Sequence, residues 1–228
     1  LFRDPDYVIS SFSFGHGILV PGRVHAHRKD KPDPCVIPDM AECPGVTLIP
    51  IGGVDPIILQ WLKEDIPKIL SLPVTESHPL PLFSHAFRRD RNQYLADDLL
   101  ANLSPIKNNK NTLSLGITDA DIYTAGLNFV FGIAATGRAL ISTFRLRPEA
   151  YGMPPNPRVY RWRVLTEAVH ECGHALGLPH CEHPGCVMFF SNSIADTDRK
   201  GPEFCFRCRR RIEWVKMGNR TDFHSSFQ

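Results

Sequence analysis

His170-Glu171-Cys172-Gly173-His174 sets two imidazoles four residues apart, with a carboxylate beside the first. On a helix, positions four apart lie one turn above each other, with Cβ atoms roughly 5–6 Å apart, so both rings can converge on one metal ion. Glu171 then stands where a general base for metal-assisted hydrolysis is needed. Five such residues also occur by chance in a buried helix whose histidines are satisfied by hydrogen bonds. The continuation decides, because His174-Ala175-Leu176-Gly177-Leu178-Pro179-His180 completes H-E-x-x-H-x-x-G-x-x-H. Gly177 ends the helix in a left-handed position and Pro179 stops it from restarting, so His180 can return as the third ligand. Three histidines leave the fourth tetrahedral position to water, the arrangement of a catalytic rather than a structural zinc. His183 competes for the third place; the spacing favours His180.

A second set follows at once. Cys181-x4-Cys186 and Cys205-x2-Cys208 have the spacing of a closed, four-thiolate structural zinc site, with two disulfides or free thiols as the alternative. His180 and Cys181 are adjacent, and neighbouring Cα atoms lie about 3.8 Å apart, so the two sites must be mechanically coupled. The chain has seven cysteines, an odd number that speaks against a complete disulfide framework and for a reducing compartment, the cytoplasm. Cys172 falls on an apolar stripe with Leu165, Val169 and Leu176, opposite Thr166, His170 and His174. Cys35 and Cys43 have no assignable partners, and an inhibitory thiolate from one of them on the catalytic zinc is a reading that their spacing does not single out.

These residues need a scaffold that the rest of the chain can supply. At 228 residues with 43% hydrophobic side chains, it can bury one well-packed domain. A net charge of +2 carries no concentrated basic patch of the kind nucleic acid requires, and Arg207, Arg209, Arg210 and Arg211 around Cys208 read as a solvated helix surface. The longest apolar run, 125–142, is broken by Asn128 and Arg138, so no membrane span is expected. Leu1 to Val20 lack the basic and apolar regions of a secretory signal. The expectation is a soluble monomer that meets a peptide or protein substrate, with neither nucleic acid nor membrane as partner.

Residues 1–39 have little periodicity and read as an N-terminal extension, disordered or the product of a mis-assigned start, with Met40 as the alternative beginning. From Gly45 the pattern predicts a strand (46–51), then a helix capped by Asp55 with Pro56 in its first turn, running to about Leu70. Strands follow near 73–76, 111–118, 128–134 and 138–147, with a helical stretch at 94–103. The metal-binding helix opens at Asn156 and Pro157 and stops at Gly177, and a last helix covers about 203–217. Strands mixed with helices give an α+β domain.

With HECGHALGLPH, the cysteine directly after it, Cys186-Val187-Met188, the late CxxC and the stretch Thr118 to Ala134, the sequence resembles the archaemetzincins over roughly Gly45 to Met217. The resemblance implies a zincin-like domain with a mixed sheet, an active-site helix and a small C-terminal zinc-stabilised lobe: a catalytic domain over 40–228, its upper lobe 40–180 and lower lobe 181–228. It implies two zinc ions, one on His170, His174 and His180 and one on Cys181, Cys186, Cys205 and Cys208, and peptide hydrolysis with Glu171 as base, aminopeptidase action included. Met188 takes the place of the methionine that packs under the zinc ligands in metzincins. Phe129 to Ala134 correspond to an edge strand to which an extended substrate adds by backbone pairing, with an ordinary core strand as the other reading. Several metzincins have a tyrosine two residues after that methionine; here Phe189 and Phe190 follow Met188. That departure leaves room for the alternative of a catalytically weak, zinc-containing peptide-binding or structural protein.

Overall fold

The computed structural model describes residues 8–11, 45–103 and 112–216. Its main sheet has six strands: β1 (Val8–Ser11), β2 (Val46–Ile51), β3 (Val74–Glu76), β6 (Leu113–Thr118), β8 (Val130–Ala135) and β9 (Arg138–Ser142). A second, three-stranded sheet is formed by β4 (Phe87–Arg88), β5 (Gln93–Leu95) and β7 (Ile122–Tyr123). The helices are α1 (Pro56–Leu70), α2 (Ala96–Ala101), α3 (Pro157–Ala175), α4 (Ile194–Lys200) and α5 (Phe206–Lys216). The α+β expectation is met.

Strand order in the main sheet is β1-β8-β9-β6-β2-β3. β3, β2, β6 and β9 run parallel, while β8 is antiparallel to β9 and β1 antiparallel to β8. All six residues of β2 and of β6 are buried, as expected of strands covered on both faces. Alternate side chains of β2 serve two cores: Val46 and Leu48 pack with α1 and α3, and Ile49 and Ile51 with Leu99, Leu100 and Leu103 beyond the opposite face. Among the described residues no helix is long and apolar enough to cross a membrane.

Local chemistry sets the helix ends. The Asp55 carboxylate accepts the Ile57 N–H at 3.0 Å with Pro56 in the first turn, so α1 begins where its cap and proline place it. Asn156 Oδ1 accepts the Val159 N–H at 3.1 Å and starts α3 in the same way. The expected helix over 94–103 is shorter: Tyr94 and Leu95 pair with Ile122 and Tyr123, and the helix starts only at Ala96. The strand expected to reach Arg147 ends at Ser142, whose hydroxyl donates to the Ala120 carbonyl at 2.6 Å and turns the chain into short 3-10 segments. α4 was not expected, because seven residues show too little periodicity to stand out.

Two sequence expectations about strands change. Val8–Ser11, within the segment read as an extension, form a strand of the main sheet. In consequence the strand near Phe129 to Ala134, found at Val130–Ala135, is not an edge: β9 pairs with one side of it and β1 with the other. Cys35 and Cys43 lie outside the described residues.

Candidate metal centre on the buried helix

From Arg163 to Ala175 every residue of α3 is buried. The apolar stripe of Leu165, Val169, Cys172 and Leu176 is buried, and so is the histidine face, with His170 0% and His174 5% exposed. The segment around Val187 and the Lys200 end of α4 cover part of this face, and of the three histidines only His180 is exposed. A charged network secures the cover. Buried Arg163 donates to both Asp198 oxygens at 2.7 and 2.8 Å, and Thr197 Oγ1 donates to Glu167 Oε1 at 2.8 Å.

The turn that carries His180 back follows from the end of α3. Leu178 N–H donates to the Gly173 carbonyl at 2.9 Å and Gly177 N–H to the His174 carbonyl at 2.8 Å, a Schellman pair around Gly177 at φ 89°. An L side chain rarely adopts that backbone angle, and glycine does so without strain. The last turn of α3 also hands its Ala175 carbonyl to the Gly137 N–H at 2.9 Å in the β8–β9 turn, fixing the helix end against the sheet.

The three rings meet. His174 Nε2 lies 3.2 Å from His170 Nε2 and 3.2 Å from His180 Nε2. On the far side of two of the rings a carbonyl is in place: Val187 O at 2.6 Å from His170 Nδ1, and Leu178 O at 2.7 Å from His174 Nδ1. A carbonyl can only accept, so Nδ1 carries the proton and Nε2 is left as a bare lone pair. Converging lone pairs in a buried place repel unless a cation stands between them. Tetrahedral zinc with bonds of about 2.05 Å requires nitrogens about 3.3 Å apart, close to the spacing found.

Burial holds these rings neutral, as ligands must be. It pushes His170 well below its usual range, with the Lys200 ammonium adding to the effect. His174 is lowered to about 3, by burial first and then by His180. His180 is lowered by burial and by Lys200.

Met188 is fully buried and packs its sulfur against the Gly173 backbone beneath the rings. Phe190 meets His180 edge-on at 5.0 Å between centroids, steadying the exposed ring. His183 is exposed, accepts the Gly185 N–H at 3.2 Å, and does not join the histidine group. Glu171 is fully buried beside His170, its side chain seated on Gly132 of β8: a Cβ at Gly132 would meet Glu171 Cγ at 2.6 Å and Oε1 at 2.8 Å.

Cys181, Cys186, Cys205 and Cys208 come together as a second group able to hold a metal ion. All four are free thiols, with Cys181 and Cys205 sulfurs 3.8 Å apart. That is far from the ~2.05 Å of a disulfide and equal to the spacing of about 3.8 Å that tetrahedral Zn–S bonds of 2.3 Å require. The hydrogen bond from Cys208 pulls the Cys186 thiol down to about 5, and donating it raises Cys208. Cys181 N–H donates to the Met188 carbonyl at 2.9 Å, so one short backbone bond ties the cysteine group to the floor of the histidine group.

Sequence reasoning missed Lys200 and Glu167. Lys200 is buried, with Nζ 3.1 Å from the Phe189 carbonyl, 3.1 Å from His170 Nδ1 and 3.7 Å from Glu167 Oε1. Glu167 precedes His170 by three positions, hence lies on its face of α3, a signal that could have been read. Lys200 stands 30 residues beyond His170 and gave none.

Comparison with known proteins gives a consistent picture. The model of peptidase family M54 matches residues 69–214. The archaemetzincin of Pyrococcus furiosus is 45% identical over 176 residues, covering 74% of this chain and 92% of that protein. The crystal structure of archaemetzincin from Archaeoglobus fulgidus superposes with a TM-score of 0.64 at 38% identity, covering 73% of this chain and 99% of that one. A zinc-dependent peptidase from Methanocorpusculum labreanum superposes with a TM-score of 0.66 at 28% identity, covering 74% and 100%.

Proposed function

The chain belongs to peptidase family M54, the archaemetzincins, and is a zinc metallopeptidase; from that premise we propose that Glu171 is its general base and that His170, His174 and His180 hold the catalytic zinc. The observation that carries the reading is the meeting of three Nε2 atoms beside a buried carboxylate, two of them left as lone pairs by the carbonyls on the Nδ1 side of His170 and His174. Zinc on those nitrogens supplies the electrophile, polarising the peptide carbonyl and acidifying a water molecule, and Phe190, without a hydroxyl, adds no donor to it.

The chain's own residues do the rest. The Val187 and Leu178 carbonyls fix the ring tautomers and orientations. Glu171 Oε accepts the proton as hydroxide attacks the carbonyl carbon and then delivers it to the departing amine nitrogen, so one carboxylate serves as base and then as acid. Burial of His170 and Glu171 keeps bulk water from both. Cys181, Cys186, Cys205 and Cys208 hold a second, structural zinc. Because thiolates bind zinc only while unoxidised, a reducing compartment, the cytoplasm, suits them.

The test is to strip the purified protein with a chelator, restore zinc, and follow cleavage of a mixed peptide library offered with free and with acetylated N-termini. Cleavage that is lost and regained with zinc supports the proposal. Cleavage of the free-amine peptides alone identifies aminopeptidase action, and cleavage of both identifies internal cutting. Peptide binding without turnover after zinc is restored would favour the peptide-binding alternative, to which the missing phenol at Phe190 lends its one argument.

A further inference from the structure

β8 touches the proposed base, since Gly132 is the seat of the Glu171 side chain. One of its backbone edges pairs with β9, with Gly132 opposite Ile141. The other is the ladder to which an extended peptide could add next to Glu171, because an unpaired strand edge is a template for another chain. That edge is taken by the protein's own Val8–Ser11. The pairing is antiparallel, with Val8 opposite Ala134, Ile9 opposite Ile133 and Ser10 opposite Gly132. After Ser10 the register shifts and Ser11 falls opposite Val130.

Two features make this strand an occupant rather than a fixed wall. It is four residues long and ends in a register shift, so its ladder is short and interrupted. It is also the terminal strand of the sheet, held by β8 on one side only. Thirty-three residues separate Ser11 from Gly45 in the sequence. Because Val8–Ser11 belong to the same chain, their pairing with β8 is intramolecular, and a peptide added in trans competes against an effective concentration on the order of millimolar.

We infer that Val8–Ser11 is a built-in competitor for the peptide-docking edge: it pairs with β8 alongside Gly132, and a peptide must displace it to reach Glu171. The inference rests on the peptidase reading above and concerns how that same site is regulated. It predicts that loosening the strand lowers KM and leaves kcat alone, because the strand contributes nothing to the chemistry once it is displaced.

The test uses the full zinc-loaded chain and the double variant Ile9→Pro/Ser10→Pro, which removes two backbone donors from β1. The probe is a fluorescent synthetic copy of residues 5–14, added in trans. The expected result is that the copy binds the variant about tenfold or more tightly than it binds the wild type. Amide exchange across residues 130–135 should speed up, and KM for peptide cleavage should fall with kcat unchanged. Two zincs per chain in the variant show that it has folded, and inhibition of the wild type by rising copy concentration gives a readout that needs no variant. Equal affinity for the copy in both proteins, with unchanged exchange in β8, overturns the inference. Tighter binding of the copy by the variant, with no peptide cleaved by either protein, upholds the occupancy and overturns the peptidase reading instead.

Discussion

The Glu171 side chain rests on the backbone of Gly132, so closely that a Cβ at residue 132 would come within 2.6 Å of its Cγ and 2.8 Å of its Oε1. The Glu171 carboxylate of α3 and the middle of β8 are therefore a single fitted contact. Gly132→Ala crowds the carboxylate and also the Leu140 carbonyl at 2.8 Å, and if Glu171 is the base as proposed, its displacement by a fraction of an ångström should lower kcat by about tenfold or more. Zinc content should stay at two per chain, because no ligand moves. Steady-state kinetics beside elemental analysis decides it; an unchanged kcat would mean that the contact does not position the base.

Behind the histidines, Lys200 and Glu167 are a fully buried charge pair, their side chains at 0% exposure. Lys200→Met leaves the Glu167 carboxylate buried with the Thr197 hydroxyl donating to it, and removing one partner of a buried pair costs about 3–5 kcal/mol. Glu167→Gln/Lys200→Met removes both charges and should recover most of the loss. Denaturation midpoints of the two variants and the wild type check this, and a double variant as unstable as Lys200→Met would contradict it.

The two metal groups share a peptide bond, His180–Cys181, and the hydrogen bond from Cys181 N–H to the Met188 carbonyl. Cys205→Ser should therefore release the second zinc and also loosen the first, so that chelator strips the histidine site about tenfold faster than in the wild type. A histidine-site zinc held as firmly as before would show the sites to be independent.

Acidity should act through the imidazoles. Their folded pKa values are depressed, His174 to about 3 from an unfolded value of 6.5. The unfolded chain takes up protons first as pH falls, so the stability these rings contribute is whole above about pH 6.5 and is lost progressively toward the folded values. Chelator-stripped protein should show a denaturation midpoint that drops from about pH 7.5 to about pH 5. A midpoint flat over that interval would mean the rings are not held neutral by burial.

Much of the centre was legible because its chemistry is local. His170, Glu171 and His174 owe their placement to helical spacing, and His180 to Gly177 and Pro179 a few residues away; the φ of 89° at Gly177 is what the sequence demanded. The four cysteines were readable from their spacing as a likeness to known zinc sites. What stayed hidden depends on long-range packing. Nothing local announces that Lys200 returns to lie against His170 or that Gly132 faces Glu171. The strand at Val8–Ser11 escaped for the same reason: four residues among irregular sequence carry no period, and only their partner β8 makes them a strand.

The most direct test of the central claim is zinc per chain and peptide-library hydrolysis measured together for the wild type and Glu171→Ala. The account predicts two zincs in both proteins and cleavage in the wild type alone. Equal cleavage by both would contradict Glu171 as the base, and two zincs with no cleavage in either would contradict the proposed hydrolysis itself.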